Sequence, residues 1–169
     1  FLCCPFDAMG STMATYGGQH VGAGKLERLG QGLRACCLLG LGYSILSLAV
    51  TWLFADPLNM LFLDEASAAL LPLSRQHLLT NVAFYFPLAL VNIVRFLIQG
   101  MGFPPLATLA GLFEMAARGG LAMLVPIFGF PAACFASPAA WILADLFLIP
   151  AYFHCIKVLT RRHQSAIPA

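Results

Sequence analysis

Residues 33–54, LRACCLLGLGYSILSLAVTWLF, carry one charge, Arg34, in 22 residues. A helix of that length rises about 33 Å at 1.5 Å per residue, enough to cross the roughly 30 Å hydrocarbon core of a bilayer. Three further stretches of similar length and character follow it, at 78–98, 105–128 and 139–158. Residues 1–21 make a weaker segment, richer in small residues. The whole composition agrees with this reading. Of 169 residues, 60% are hydrophobic and only 9% are charged, against roughly a quarter charged in a soluble domain. Mean hydropathy is +0.86. A water-soluble fold of this size needs a polar surface that these residues cannot supply. The sequence therefore reads as an all-α integral membrane protein, one membrane domain over 1–169, with the lipid bilayer as its first partner.

Other classes find little support. Net charge is +2, too small to argue for a nucleic-acid partner. The cysteines fall as two adjacent pairs, Cys3-Cys4 and Cys36-Cys37, and two single residues, Cys134 and Cys155. None has the spacing of a zinc site, so no metal or cofactor is expected. GAGK at 22–25 is not a nucleotide loop, because Leu26 stands where a Ser or Thr would be needed. No HExxH, no GxSxG and no acyltransferase-like His-Asp run is present, so an enzyme is not expected. The chain begins at Phe1 without a basic flank or a small-residue cleavage site, unlike a signal peptide. It is expected to begin inside a membrane helix and to be the C-terminal piece of a longer protein.

Charge assigns the sides. The connection GAGKLERLGQGLR, 22–34, holds Lys25, Arg28 and Arg34 against Glu27. Arg95 precedes the 98–105 connection, and the tail holds Lys157, Arg161 and Arg162. All three regions lie on one side if the segments alternate. The 55–77 connection, with Asp56, Asp64 and Glu65 against Arg75, lies on the other. The positive-inside rule places the basic side, and the C-terminus, in the cytoplasm. Prolines mark the ends. Pro57 in ADPLNM is expected to break the 33–54 helix. LDEASAALLPLSRQ, 63–76, suits a short interfacial helix interrupted by Pro72. GMGFPP, 100–105, ends one helix and restarts the next with proline in the first turn, and ASPAAW, 136–141, is expected to do the same.

Polar residues recur at helical spacing. Asn81, Tyr85, Asn92, Arg95 and Gln99 form one stripe, with Leu88 its apolar member. Gly40, Ser44, Ser47 and Thr51 form another, in small residues. Gly111, Glu114 and Arg118 form a third, and Trp141, Asp145 and Tyr152 a fourth; Asp7, Ser11 and Gly18 recur on the first segment. A polar group facing hydrocarbon without a partner is costly, and a charge more so. The stripes therefore face other helices or water. Two readings stay open: a polar network that fixes helix packing, or the lining of a wet solute cavity. Glu114 and Arg118 stand four apart with the acid first, the favourable order for a pair on one helix. Asp145 has no basic residue one turn away, so it needs a partner on another helix or a proton.

TYGGQHVGAGKLERL, 15–29, resembles the start of the second repeat's cytoplasmic loop in the multidrug and toxic compound extrusion (MATE) family. There a small-residue helix runs into GQN-x-GAG and a basic residue. Gly18, Gln19, Gly22, Ala23, Gly24, Lys25 and Arg28 match, and His20 replaces the usual Asn. RFLIQGMG, 95–102, looks like the end of that family's tenth helix. Residues 114–148 look like its eleventh and twelfth.

The resemblance implies about four and a half transmembrane helices forming most of the C-terminal lobe of a two-lobe, twelve-helix transporter. The N-terminal lobe would be the chain's structural partner. It implies a secondary active transporter at the plasma membrane that exports small organic, often cationic, compounds in exchange for sodium ions or protons by alternating access. The coupling acid of the first helix would lie outside this sequence, and segment 78–98 contains no Asp or Glu. The alternatives are a lipid-linked saccharide flippase of the same wider superfamily, which would need a cationic cavity, and a structural membrane subunit without transport of its own.

Overall fold

The computed structural model describes residues 2–60 and 70–165; the side chains of residues 58–60, 128 and 165 lie outside the description. Six helices account for nearly all of it: α1 Cys4–Gly22, α2 Glu27–Met60, α3 Leu71–Ala83, α4 Tyr85–Gly100, α5 Pro104–Phe128 and α6 Phe130–Ser165. Among the described residues, α2, α5 and α6 are long and apolar enough to cross a membrane. The bent pair α3–α4 meets the same test when the two helices are taken together. The chain is thus an all-helical, multi-pass membrane protein.

Two connections are built the same way. Gly24 has φ 68°, its N–H bonds the Val21 carbonyl, and the Lys25 N–H bonds the His20 carbonyl. Gly102 has φ 92°, with matching bonds from Gly102 to Gln99 and from Phe103 to Ile98. Each is a Schellman turn, which satisfies the last helical carbonyls and needs a left-handed residue that glycine adopts without steric cost. The GAG motif and GMGF thus have one structural reason.

The prolines follow the sequence expectation in part. Pro57 does break the helix expected over 33–54: the backbone leaves helical geometry at Phe54 (φ −117°, ψ 17°), and a helical stretch follows to Met60. A second break, at Phe84 (φ −102°, ψ 21°), divides the segment expected as one helix over 78–98 into α3 and α4, bent by 47°. Both breaks lie three residues before a proline, Pro57 and Pro87. The proline ring clashes with the carbonyl four residues back, Leu53 or Ala83, and the backbone yields beside it. Pro72 lies in the first turn of α3. Residues 61–69 of the expected interfacial helix lie outside the described residues. The restart expected at ASPAAW is also corrected: α5 ends at Gly129 (φ 69°), α6 begins at once with Pro131 in its first turn, and Pro138 lies buried inside it.

Helix α4 sits at the centre, packed on α1, α2, α5 and α6. Its Ala89, Ile93, Leu97 and Ile98 are fully buried. Helix α1 is less apolar than the spans and approaches α4 through small residues. A Cβ on Gly100 would run into the Ala14 carbonyl, and one on Gly17 would meet Leu97 Cδ1 at 2.9 Å. Small residues let membrane helices come this close. Phe6, fully buried, fits edge-on against Tyr43 and Tyr85 at ring distances of 5.2 and 5.5 Å.

The ends of the bundle sort as charge suggested. Gly18 lies beside Gly100, and Gly24 beside His163. The α1–α2 turn, the α4–α5 turn and the end of α6 therefore share one end. At the other end Arg75 pairs with Asp56 at 3.7 Å, and the His77 ring lies 6.4 Å from that of Phe130. These contacts bring the end of α2, the start of α3 and the α5–α6 turn together.

Candidate functional site

Three ions meet between α4 and α5. Arg118 Nη2 donates to Glu114 Oε1 at 2.6 Å, and Arg95 Nη1 donates to Glu114 Oε2 at 3.4 Å. Arg95 also donates through Nη2 to Asn92 Oδ1 at 3.5 Å, and its guanidinium carbon lies 5.8 Å from the centre of the Phe96 ring. The helix geometry explains the cluster. Glu114 and Arg118 are one turn apart on α5, while Asn92 and Arg95 are three apart on the facing side of α4. One carboxylate thus serves two guanidiniums. The Glu114 side chain is 14% exposed, Arg95 27% and Arg118 48%.

Around this cluster α5 is poorly covered. Leu112, Phe113, Met115 and Met123 are exposed, and Gly119 and Gly120 face open space. Arg118 lies a little past the middle of the 25-residue helix. Beside the cluster, toward the α4–α5 turn, a groove of about 360 Å³ is lined by Arg95, Phe96, Gln99, Pro104, Thr108 and Gly111, with Ala107. Arg95 is common to the ion cluster and to the groove.

The expected stripe of α4 does not survive as one surface. Asn92, Arg95 and Gln99 belong to the cluster and groove. Asn81 lies across the Phe84 break and donates to the His77 carbonyl at 2.9 Å. Tyr85 is buried among Phe6 and Trp141, and its hydroxyl accepts from Cys3 Sγ at 3.5 Å. The break sets Asn81 apart on α3, while Tyr85, the first residue of α4, serves packing two turns before Asn92. The small-residue stripe of α2 does face inward: Gly40 meets Ala89 and Ile93, and Ser44, Ser47 and Thr51 are buried.

Asp145 is a separate matter. It is 8% exposed, and its Oδ1 has no hydrogen-bond partner among the described residues. The indole Nε1 of Trp141, one turn earlier on α6, is buried and unpartnered in the same way. Asp145 is within electrostatic range of Glu114 on α5 and Cys37 on α2. No ion pair among the described residues includes it. The Trp141–Asp145 juxtaposition was visible as helical spacing, but the missing partners were not.

The family-loop residues build one corner. Gly18 packs on Gly100, and the Gln19 carbonyl accepts the Ala23 N–H at 3.0 Å. Gly22 faces open space, Ala23 caps α1, and Gly24 makes the turn. The Arg28 carbonyl accepts the Tyr16 hydroxyl at 2.7 Å. His20 stacks on the Tyr16 ring at 3.9 Å, with Nδ1 2.9 Å from the Tyr16 carbonyl.

A multi-pass helical bundle with a shared ion cluster between two of its helices defines an integral membrane protein. The family model described as MatE matches residues 1–118, well over half of the chain, and the chain belongs to that family of membrane transporters. The matched region takes in the Schellman corner, Arg95, Glu114 and Arg118. Neither curated proteins nor solved structures give a match to this chain.

Proposed function

We propose that the protein is a secondary active transporter that exports small organic, often cationic, compounds across the plasma membrane in exchange for sodium ions or protons, by alternating access. In this reading the α1–α2 turn and the C-terminus face the cytoplasm. The coupling-ion site is assigned no residue of this chain. The observation that carries the proposal is Glu114, held by Arg95 across the α4–α5 contact and by Arg118, which is 48% exposed at the border of the uncovered face of α5. Exposed charge near the middle of a span is not tolerated against lipid, so this face belongs against water or further protein. Glu114 is then the acid available to a passing cation, and the arginines orient it until one gives way.

A second reading has a specific observation behind it. Two guanidiniums against one carboxylate leave the cluster itself cationic, as a lipid-linked saccharide flippase would need for its pyrophosphate. Efflux of a cationic and a neutral dye of similar size separates the two. With Glu114→Gln, the cation-export reading expects cationic dye efflux, normalised to folded protein, to fall while neutral dye efflux is kept. Unchanged efflux at equal protein level would contradict it.

A further inference from the structure

At the basic end of the bundle the α1–α2 turn and the last turns of α6 enclose a cleft of about 530 Å³. That volume is within the roughly 300–1,000 Å³ of small-molecule sites. Lys25 and Arg28 line it from one side, and Thr160, His163 and Gln164 from the other; Glu27 is the single acid among its lining residues. Leu26 and Ile156 supply an apolar portion. Two more basic residues, Lys157 and Arg161, stand exposed on the same last turns of α6.

The cleft is built by the fold and is more than a meeting of loose side chains. The Schellman turn fixes Gly24, and the His163 ring lies directly over it. A Cβ at Gly24 would be 2.6 Å from His163 Cε1. Glycine takes φ 68° without steric cost and leaves the space in which the His163 ring lies. The location is also informative, since the apolar spans of α2 and α6 begin and end at this level. The cleft therefore opens at the plane of the lipid headgroups.

We infer that this cleft binds the phosphate group of an anionic lipid headgroup. Ammonium and guanidinium groups make charge-assisted hydrogen bonds to phosphate oxygens. Basic pockets at a membrane face are suited to such headgroups. The apolar portion beside the cations fits the glycerol end of a lipid and gives nothing to a free phosphate ion. Occupancy would tie the α1–α2 turn to the end of α6, two parts of the chain more than a hundred residues apart.

The test is native mass spectrometry of the purified, monodisperse protein titrated with phosphatidylglycerol or phosphatidylcholine. Phosphatidylglycerol should bind in preference. Each basic residue near a headgroup is worth roughly a fivefold change in binding, so Lys25→Gln/Arg28→Gln should weaken binding about 30-fold. Lys157→Gln/Arg161→Gln removes the same charge from the same face outside the cleft and should weaken it less. Equal losses in the two double variants would reduce the effect to general surface charge and overturn the site. Displacement of the lipid by millimolar inorganic phosphate would overturn its assignment to a lipid.

Discussion

Arg118 donates to one oxygen of Glu114 across 2.6 Å, one helical turn along α5. The pairing is not exclusive, because the other oxygen accepts from Arg95 on α4 at 3.4 Å. Substitutions should therefore be unequal. Arg118→Gln leaves Glu114 with Arg95 and should cost little folded protein. Glu114→Gln leaves two cations without a carboxylate. Breaking a buried ion pair from one side typically costs about 3–5 kcal/mol, and the partial exposure here should bring the loss below that range.

The same sharing sets the outcome of combined changes. Glu114→Gln/Arg118→Gln should not recover the full level of folded protein, because Arg95 keeps only Asn92. Adding Arg95→Gln should recover more. Fluorescence size-exclusion profiles of the single, double and triple variants check this. Full recovery in the double variant would show that Arg95 is not part of the cluster.

At the crossing of α1 and α4, Gly100→Ala should be damaging. Its Cβ would run into the Ala14 carbonyl, and main chain cannot swing aside as a side chain can. Overpacking costs about 1–3 kcal/mol and occasionally more. Gly42→Ala and Gly119→Ala, where a Cβ meets nothing within 4 Å, should leave the melting temperature unchanged or raise it. Equal effects at all three positions would contradict the close approach.

Asp145→Asn should be neutral or stabilising. The carboxyl is buried and its Oδ1 has no partner among the described residues, so an amide of the same shape gives up no hydrogen bond or ion pair there. A melting temperature lowered as far as by Glu114→Gln would mean that Asp145 has a partner elsewhere in the protein.

Topology is checked by cysteine labelling in a cysteine-free background. Thr160→Cys, at the basic end, should resist an impermeant maleimide in intact cells. Gln76→Cys, exposed at the opposite end, should react. The reversed pattern would place the C-terminus outside.

The spans were legible because 22 nearly uncharged residues admit few solutions in water. The grouping of loops by end was legible too, since basic residues cluster at 22–34 and at 157–162. Local proline effects were harder to read. A proline's clash acts on the preceding turn, so Pro87 breaks the chain at Phe84 and Pro57 distorts Phe54, where no sequence signal stands. That break then divided a stripe which even spacing had joined, separating Asn81 on α3 from Asn92 and Arg95 on α4. The pairing of Glu114 with Arg118 followed from spacing along one helix. The bond to Arg95 depends on which faces of α4 and α5 meet, and periodicity within a helix carries no information on that. The closeness of Ala14 and Gly100, and of Gly24 and His163, was hidden for the same reason.

The most direct test of the central claim is transport by purified protein. Proteoliposomes carrying the full-length protein are given an imposed sodium or proton gradient and a fluorescent organic cation. The expected result is cation movement driven by one of the two gradients, collapsed by the matching ionophore and strongly reduced by Glu114→Gln at equal reconstituted protein. Movement independent of both gradients, or equal in Glu114→Gln, would contradict a coupled exporter in which Glu114 faces the solute.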